Sequence, residues 1–425
     1  MDSDKIGLAS AVLLIIGNVI GAGTFTTSGI MLGRIGHPGV VLLLWVVAGV
    51  IMLLGAACYG ALARQMPESG GEYLFLSRIF HPALGCLAGW VSLLVGFSAP
   101  IAVCAYAVGE YARHWGVGDY LAPRVVGSCL IVLVTFLHSL GTRQGLRIQN
   151  LVISIKLLLI MAFILLTVGE ASTEHLSLPA GVEVQPDSLA IGFIWAFFAY
   201  SGWNSVIYIA DEMENSHKNL MWATMIGSLL VMLIYLLLNF AILGQQHIDN
   251  IGGRVDYMFL VAEQSASGWA VAVAAVVVNL ALLSSLSALI MLGPRVYAKM
   301  ASDGFLPGFL QGQKGRYHKA IVFQGVIALL ILWFGTYEHM LTSIGYMLGI
   351  CCVLTVAGLV KLKLNDRGIA IPFWPFGPAI FIICVTCCVI YHVCHHPLYS
   401  LLGIALVAPG LLFWFFGRAG TASRG

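Results

Sequence analysis

The chain has 425 residues, of which 60% are apolar and only 9% are charged, and its formal net charge is +2. A typical soluble domain carries about 25% charged residues, so this composition excludes a globular surface exposed to water. The apolar runs are also too long and unbroken for a transmembrane barrel, whose strands alternate apolar with polar residues. The sequence therefore predicts an all-α polytopic membrane protein in a lipid bilayer, with no nucleic-acid partner.

Twelve apolar runs, bounded by charges, proline and glycine, predict twelve membrane-spanning helices. In chain order the predicted spans are 6–32, 39–63, 83–112, 125–141, 148–169, 188–210, 220–244, 269–300, 320–336, 339–362, 373–394 and 398–417. A bilayer crossing needs about 20 residues, which most of these runs supply. The longest connections are 170–187, 245–268 and 301–319, which leave no room for a soluble domain.

The distribution of basic residues supports this alternation, because cytoplasmic loops are enriched in Lys and Arg. With the N-terminus in the cytoplasm, sixteen basic residues lie inside and four outside: Arg34, Arg113, Arg124 and Arg254. The inner set comprises Lys5, Arg64, Arg78, Arg143, Arg147, Lys218, Arg295, Lys299, Lys314, Arg316, Lys319, Lys361, Lys363, Arg367, Arg418 and Arg424. We therefore expect a multi-pass protein of the cell membrane, plasma or inner, with both termini cytoplasmic.

Spans one and six carry unusual interruptions, at Gly21-Ala22-Gly23 and within the stretch Phe197–Asn204. Glycine in a helix interior costs about 1 kcal/mol relative to alanine, so each helix can unwind there. Interruptions at matching places in two halves mark the binding site of transporters with inverted repeats. We therefore expect a first repeat over 1–169, an external loop over 170–187, a second repeat over 188–364, and two further helices with the C-terminus over 365–425.

The chemistry of two broken helices suits a zwitterion. Free N–H groups at the restart of span one present a positive dipole end to a carboxylate. Carbonyls at the stop of span six present a negative end to an ammonium. The predicted substrate-binding residues are Val19, Ile20, Gly21, Ala22, Gly23, Phe198, Ala199, Ser201, Trp203 and Asn204.

Lys156 lies inside the fifth predicted span, nine residues past Arg147. At 1.5 Å per residue that is about 13 Å of helix, too far for the ammonium to reach the cytoplasmic headgroups easily. A charge at membrane depth costs several kcal/mol and is by default a functional candidate.

Four motifs, in order, resemble the amino acid–polyamine–organocation superfamily, and most closely its L-type amino acid transporter branch. They are Gly21-Ala22-Gly23, then Pro67-Glu68-Ser69-Gly70-Gly71-Glu72-Tyr73, then Phe198–Asn204 followed by Asp211-Glu212-Met213, and finally Gly293-Pro294-Arg295 with Asp303-Gly304-Phe305. They cover most of residues 10–310, and beyond residue 320 the likeness is only topological. The block around span six is the specific one.

The resemblance implies a five-plus-five inverted-repeat fold with two additional helices. It implies that Phe198 gates the substrate. It also implies that the Lys156 ammonium stands where sodium-coupled relatives hold a sodium ion, near Gly17 and one of the hydroxyls of Ser284, Ser285 and Ser287.

The sequence also departs from the family pattern: Ser201 stands where many members of this branch have glycine. No cysteine lies in 113–125, where animal members bridge to a second subunit, so no disulfide-linked heavy chain is expected.

These observations predict a sodium-independent transporter, an exchanger of neutral L-amino acids by alternating access. The preference for neutral substrates rests on an expected lack of acidic groups in the pocket, since Glu110 is the only acidic residue within the predicted spans. The alternatives are a proton-coupled symporter, in which Lys156 releases its proton, and a carrier of polyamines or cationic amino acids. No enzyme activity, cofactor or metal is expected.

Overall fold

The computed structural model describes residues 5–115, 121–140, 145–177, 184–245, 251–264, 268–312, 317–366 and 368–422. Arg143, Lys314, Arg316, Arg367 and Arg424, which enter the charge argument, lie outside these residues. The described chain is helical, apart from short loops and one isolated pairing of Ile6 with Met213.

Seventeen α-helices are described. They are α1 Leu8–Val19, α2 Ala22–Ile35, α3 Pro38–Gln65, α4 Gly71–Ile79, α5 Pro82–Val91, α6 Ala99–Tyr111, α7 Pro123–Ser139, α8 Gly145–Thr167, α9 Pro186–Ala199, α10 Ser216–Leu243, α11 Tyr257–Gln264, α12 Gly268–Ser302, α13 His318–Phe334, α14 Tyr337–Asn365, α15 Phe376–His395, α16 Pro397–Val407 and α17 Pro409–Ala422. A π-helical turn, Ser92–Ser98, joins α5 to α6, and 3₁₀ segments cover Ala112–Trp115, Val168–Glu170, Glu174–Leu176, Ser205–Glu212 and Gly308–Leu310.

Eight helical segments of the described chain are long and apolar enough to cross a membrane, the first being the joined pair α1–α2. Four shorter apolar helical stretches of 10–17 residues lie at 123–139, 186–199, 318–334 and 403–415, the last of which covers parts of α16 and α17. The surface of the bundle is apolar as well: Leu158 and Leu165 of α8 are each 71% exposed. Such a surface is stable only in lipid, where helices satisfy their own backbone groups.

The centre of the molecule is formed by α1, α2 and α9. Residues 22–32 of α2 are buried on every side, and so are residues 191–199 of α9. α2 packs against α9, α10 lies along α3 and α1, and α12 contacts α6 and α8. The two interrupted segments therefore lie inside a shell of longer helices.

Three features differ from the expected spans. The segment between spans two and three contains α4, because Gly70 and Gly71 adopt φ of 139° and 57° and turn the chain back toward the bundle. Span three is not uniformly α-helical but widens at the π-helical turn Ser92–Ser98. Span twelve divides into α16 and α17 at Pro409, whose missing N–H cannot continue the helix.

Candidate functional site

The first interruption is short and sharp. α1 ends at Val19, Gly21 has φ −146° and ψ −140°, and α2 begins at Ala22. The first N–H groups of an α-helix have no partner within it, so those of the first turn of α2 remain available to a ligand. Glycine is required at position 23, because a β-carbon there would collide with the backbone of Ala199 on α9. The two broken helices therefore touch through their smallest residues.

The second interruption begins where α9 ends at Ala199. Residues 200–204 form turns, with Gly202 at φ 103°, before the 3₁₀ segment Ser205–Glu212. The Phe198 carbonyl accepts a hydrogen bond from the Ser201 N–H at 2.8 Å. The carbonyls expected to receive an ammonium are thus partly occupied within the protein.

Tyr235 of α10 links the two interruptions. Its hydroxyl lies 2.8 Å from the Val19 carbonyl and 3.2 Å from the Ala199 carbonyl. The last carbonyls of both broken helices therefore share one donor. Sequence reasoning missed this residue, because a single tyrosine in an apolar run carries no signal of its partners.

A cavity lies between the interruptions, and about 70 Å³ of it is open to the centre of a water molecule. All of the predicted substrate-binding residues except Ile20 line it: Val19, Gly21, Ala22, Gly23, Phe198, Ala199, Ser201, Trp203 and Asn204. Gly96 and Phe97 of the π-helical turn also line the cavity. π-Helical turns are rare and recur at functional sites, which is consistent with this position.

Lys156 is fully buried on the far side of α1. Its Nζ donates to the Gly17 carbonyl at 3.0 Å, the Ile20 carbonyl at 2.8 Å and the Ser284 hydroxyl at 3.1 Å. An ammonium has three donors, so every one of them is used. The charge also faces the C-terminal end of α1, where the helix dipole is negative. Ile20, which does not line the cavity, thus contacts the lysine instead.

The three candidate serines of α12 are in different surroundings. Ser284 contacts the lysine, whereas Ser285 lines the cavity and its hydroxyl lies 3.4 Å from the Asn18 carbonyl. Ser287 instead lies 2.8 Å from the His138 ring of α7. The geometry thus places one hydroxyl, that of Ser284, on the ammonium.

The expected lack of acidic groups in the pocket is wrong. Glu72 lines the cavity, is only 5% exposed, and accepts hydrogen bonds from Tyr59, Asn204 and Tyr208 at 3.0, 2.6 and 2.6 Å. It belongs to α4, which the turn at Gly70 and Gly71 brings against the 3₁₀ segment of the second interruption. A count of charges within apolar runs could not detect it, because Glu72 lies in a polar motif between two predicted spans.

No metal centre is visible in the described part of the chain, which holds no suitable group of three His, Cys, Asp or Glu side chains. Cys384, Cys387 and Cys388 of α15 are free thiols.

Comparison with known proteins gives matches over almost the whole chain. A family model described as amino acid permease matches residues 6–412. The b(0,+)-type amino acid transporter 1 of Mus musculus is 25% identical over 99% of this chain and 90% of its own length. The large neutral amino acids transporter small subunit 2 of Homo sapiens is 25% identical, with 97% and 80% covered, and the Asc-type amino acid transporter 1 of Homo sapiens is 26% identical, with 97% and 82% covered. These matches agree with the resemblance that the motifs carry.

Proposed function

Because the chain belongs to the amino acid permease family, we propose that it exchanges neutral L-amino acids across a cell membrane by alternating access and without sodium. The observation that carries this proposal is the cavity between two broken helices, with the N-terminal end of α2 on one wall. A helix N-terminus binds a carboxylate without any arginine. The side chain of the substrate then extends past Phe198, which we propose as the gate.

Twelve crossings are the architecture we propose, from the eight long segments and the four shorter apolar helices. Residues 1–169 and 188–364 would be the two inverted repeats, because the first segment of each is interrupted. Residues 170–187 would be external and 365–425 would supply the last two helices and a cytoplasmic C-terminus. No disulfide-linked heavy chain is proposed, since the sequence has no cysteine in 113–125.

Independence from sodium follows from the environment of Lys156. Its ammonium is bonded to Gly17, Ile20 and Ser284, between the first broken helix and α12. A second cation beside it would meet a like-charge repulsion that is strong at short range in a medium of low polarity. We propose that the ammonium takes the place of the sodium ion and connects α1 to α12.

The neutral substrate class rests on the relatives, one of which is named for large neutral amino acids. The second candidate is a carrier of cationic amino acids, which Glu72 favours because a carboxylate in the cavity wall attracts a cation. However, Glu72 already accepts three hydrogen bonds, so its capacity for a further donor is small. We therefore retain the neutral class as the first candidate.

The direct test is counterflow in proteoliposomes, with the twenty amino acids offered one at a time and with sodium present or absent. We expect neutral amino acids to accelerate exchange equally with and without sodium. If only arginine, lysine or a polyamine is effective, the carrier of cationic substrates is the correct account. If no amino acid accelerates exchange, transport itself is the wrong proposal.

A further inference from the structure

We infer that Glu72 is a positioning residue, whose carboxylate turns the amide oxygen of Asn204 toward the cavity so that it accepts a hydrogen bond from an ammonium of the substrate. This inference rests on the proposed transport of amino acids and specifies how the cavity recognises one of their groups. It assigns a function to a buried carboxylate that neither coupling nor gating uses.

The hydrogen-bonding capacity of Glu72 determines which group of the Asn204 amide faces it. An ionised carboxylate can only accept hydrogen bonds, so the group of Asn204 that faces Glu72 must be its NH₂. The Asn204 Nδ2 lies 2.6 Å from the nearer Glu72 oxygen and 3.2 Å from the Tyr208 hydroxyl. Both amide hydrogens are thereby used.

The hydroxyl of Tyr208 fixes the arrangement from a second side. It donates to the other Glu72 oxygen at 2.6 Å, so it can accept from Asn204 but has no second hydrogen to donate. The Asn204 amide cannot rotate by half a turn without placing its oxygen against the carboxylate. The orientation is therefore fixed by Glu72 and is maintained by Tyr208.

The amide oxygen of Asn204 is left for the cavity. Asn204 lines the cavity and is half-buried, and no hydrogen bond to its Oδ1 is formed within the described residues. The carbonyls of Phe198 and Ala199 already accept bonds from Ser201 and Tyr235. Asn204 Oδ1 thus offers an acceptor that the protein itself does not occupy.

The carboxylate is held in place rather than exposed to the substrate. Tyr59 of α3 donates to it at 3.0 Å and also packs edge-on against Trp203, with ring centroids 4.6 Å apart. In the described part of the chain Glu72 forms no ion pair with Lys or Arg. Its charge is therefore balanced by hydrogen bonds, and it acts on the substrate through Asn204.

The ammonium can be that of the α-carbon or one carried by the side chain, and a pair of competitors separates the two. Leucine and its 2-hydroxy analogue differ only at the α-ammonium, whereas lysine and norleucine differ at the end of the side chain. Each competitor is measured against the labelled amino acid that the wild-type protein exchanges fastest in proteoliposomes. The readout within each pair is a ratio: the inhibition constant of the analogue without the ammonium divided by that of the compound with it. A purely structural defect would not change this ratio.

Glu72→Gln is expected to lower one of these ratios roughly tenfold, the order expected for one hydrogen bond to a charged group. The double variant Glu72→Gln with Asn204→Asp, which swaps the amide and the carboxylate, should restore it. In that variant the introduced glutamine amide can donate to the introduced carboxylate, and either oxygen of that carboxylate serves as the acceptor for the substrate ammonium.

The control variant is Glu68→Gln, the same change at an exposed carboxylate paired with Arg78, which should leave both ratios unchanged.

If Glu72→Gln fails to fold, as judged by thermal unfolding in detergent, Asn204→Leu replaces it, because this change removes the amide oxygen that accepts from the ammonium. Unchanged ratios in a folded and active variant would overturn the inference and leave the proposed function intact. A fall in the ratios that the double variant does not restore would also overturn it. If the wild-type protein exchanges no amino acid, the proposed function fails, and this assignment fails with it.

Discussion

At the scale of single residues, the site depends on how a buried charge is compensated. Removing one partner of a buried charge is costly, because the other polar groups are left without hydrogen bonds. Lys156 avoids this cost by using its three donors on Gly17, Ile20 and Ser284, which belong to two different helical segments. The lysine is therefore both a charge in the site and a connection between α1 and α12.

Lys156→Ala should reduce exchange by at least tenfold, because two carbonyls and a hydroxyl lose their donor at about 1–3 kcal/mol each. The measurement is the initial rate of amino acid exchange in proteoliposomes containing equal amounts of protein. Lys299→Ala is the control, since Lys299 is half-exposed and pairs with Asp303 one turn away. Normal exchange by the Lys156 variant would remove this residue from the coupling site.

Phe198→Ala should raise the apparent KM and slow exchange, because a gate that shields the substrate from water is lost. Phe198 is 5% exposed and lines the cavity. Phe193→Ala is the matched control: Phe193 is equally buried on the same helix, stacks on Phe197 and lies away from the cavity. If both variants behave alike, the effect at Phe198 is one of packing and the gate is not at this position.

At the scale of helices, the two interruptions are joined by contacts between their ends. α2 meets α9 at Gly23 and Ala199, and Tyr235 lies within hydrogen-bond distance of the last carbonyls of α1 and α9. Because these helices share a donor and a close contact, we expect them to move together during transport. A change at this contact should therefore affect transport more than fold.

Gly23→Ala tests this contact, because its β-carbon would collide with the backbone of Ala199. Overpacking of this kind costs typically 1–3 kcal/mol and would separate the two helices. We expect exchange to fall at least tenfold, with thermal stability in detergent reduced by a few degrees. Gly169→Ala, where an added β-carbon meets no atom within 4 Å, should exchange normally. An active Gly23→Ala variant would show that the helices need not touch.

Long apolar runs, glycine-rich interruptions and a lysine within a span were all visible in the sequence, since each is a local feature. Glu72 and Tyr235 were not, because their roles depend on contacts between distant segments. Glu72 reaches the cavity only through the turn at Gly70 and Gly71, and Tyr235 only through the packing of α10 against α1. The choice among the three serines of α12 also required the relative positions of α7, α8 and α12.

Transport by alternating access requires that the complete protein has one defined orientation in the membrane. The charge distribution predicts that both termini are cytoplasmic, so the connection between α15 and α16 should face outward. Cys394 lies at this end of α15 and its side chain is exposed.

A membrane-impermeant maleimide should therefore label Cys394 on intact cells, and Cys394→Ser should remove that labelling. Labelling of Cys394 only after the cells are permeabilised would reverse the orientation.

We propose that this molecule exchanges amino acids without sodium, with the Lys156 ammonium in the place of a bound sodium ion. The most direct measurement is uptake of a labelled neutral amino acid into sodium-free proteoliposomes, either empty or preloaded with the unlabelled amino acid, under an imposed inward proton gradient. The account predicts rapid uptake into preloaded vesicles and only background uptake into empty ones, whatever the gradient. Accumulation in empty vesicles driven by the gradient, or a strict requirement for sodium, would contradict it.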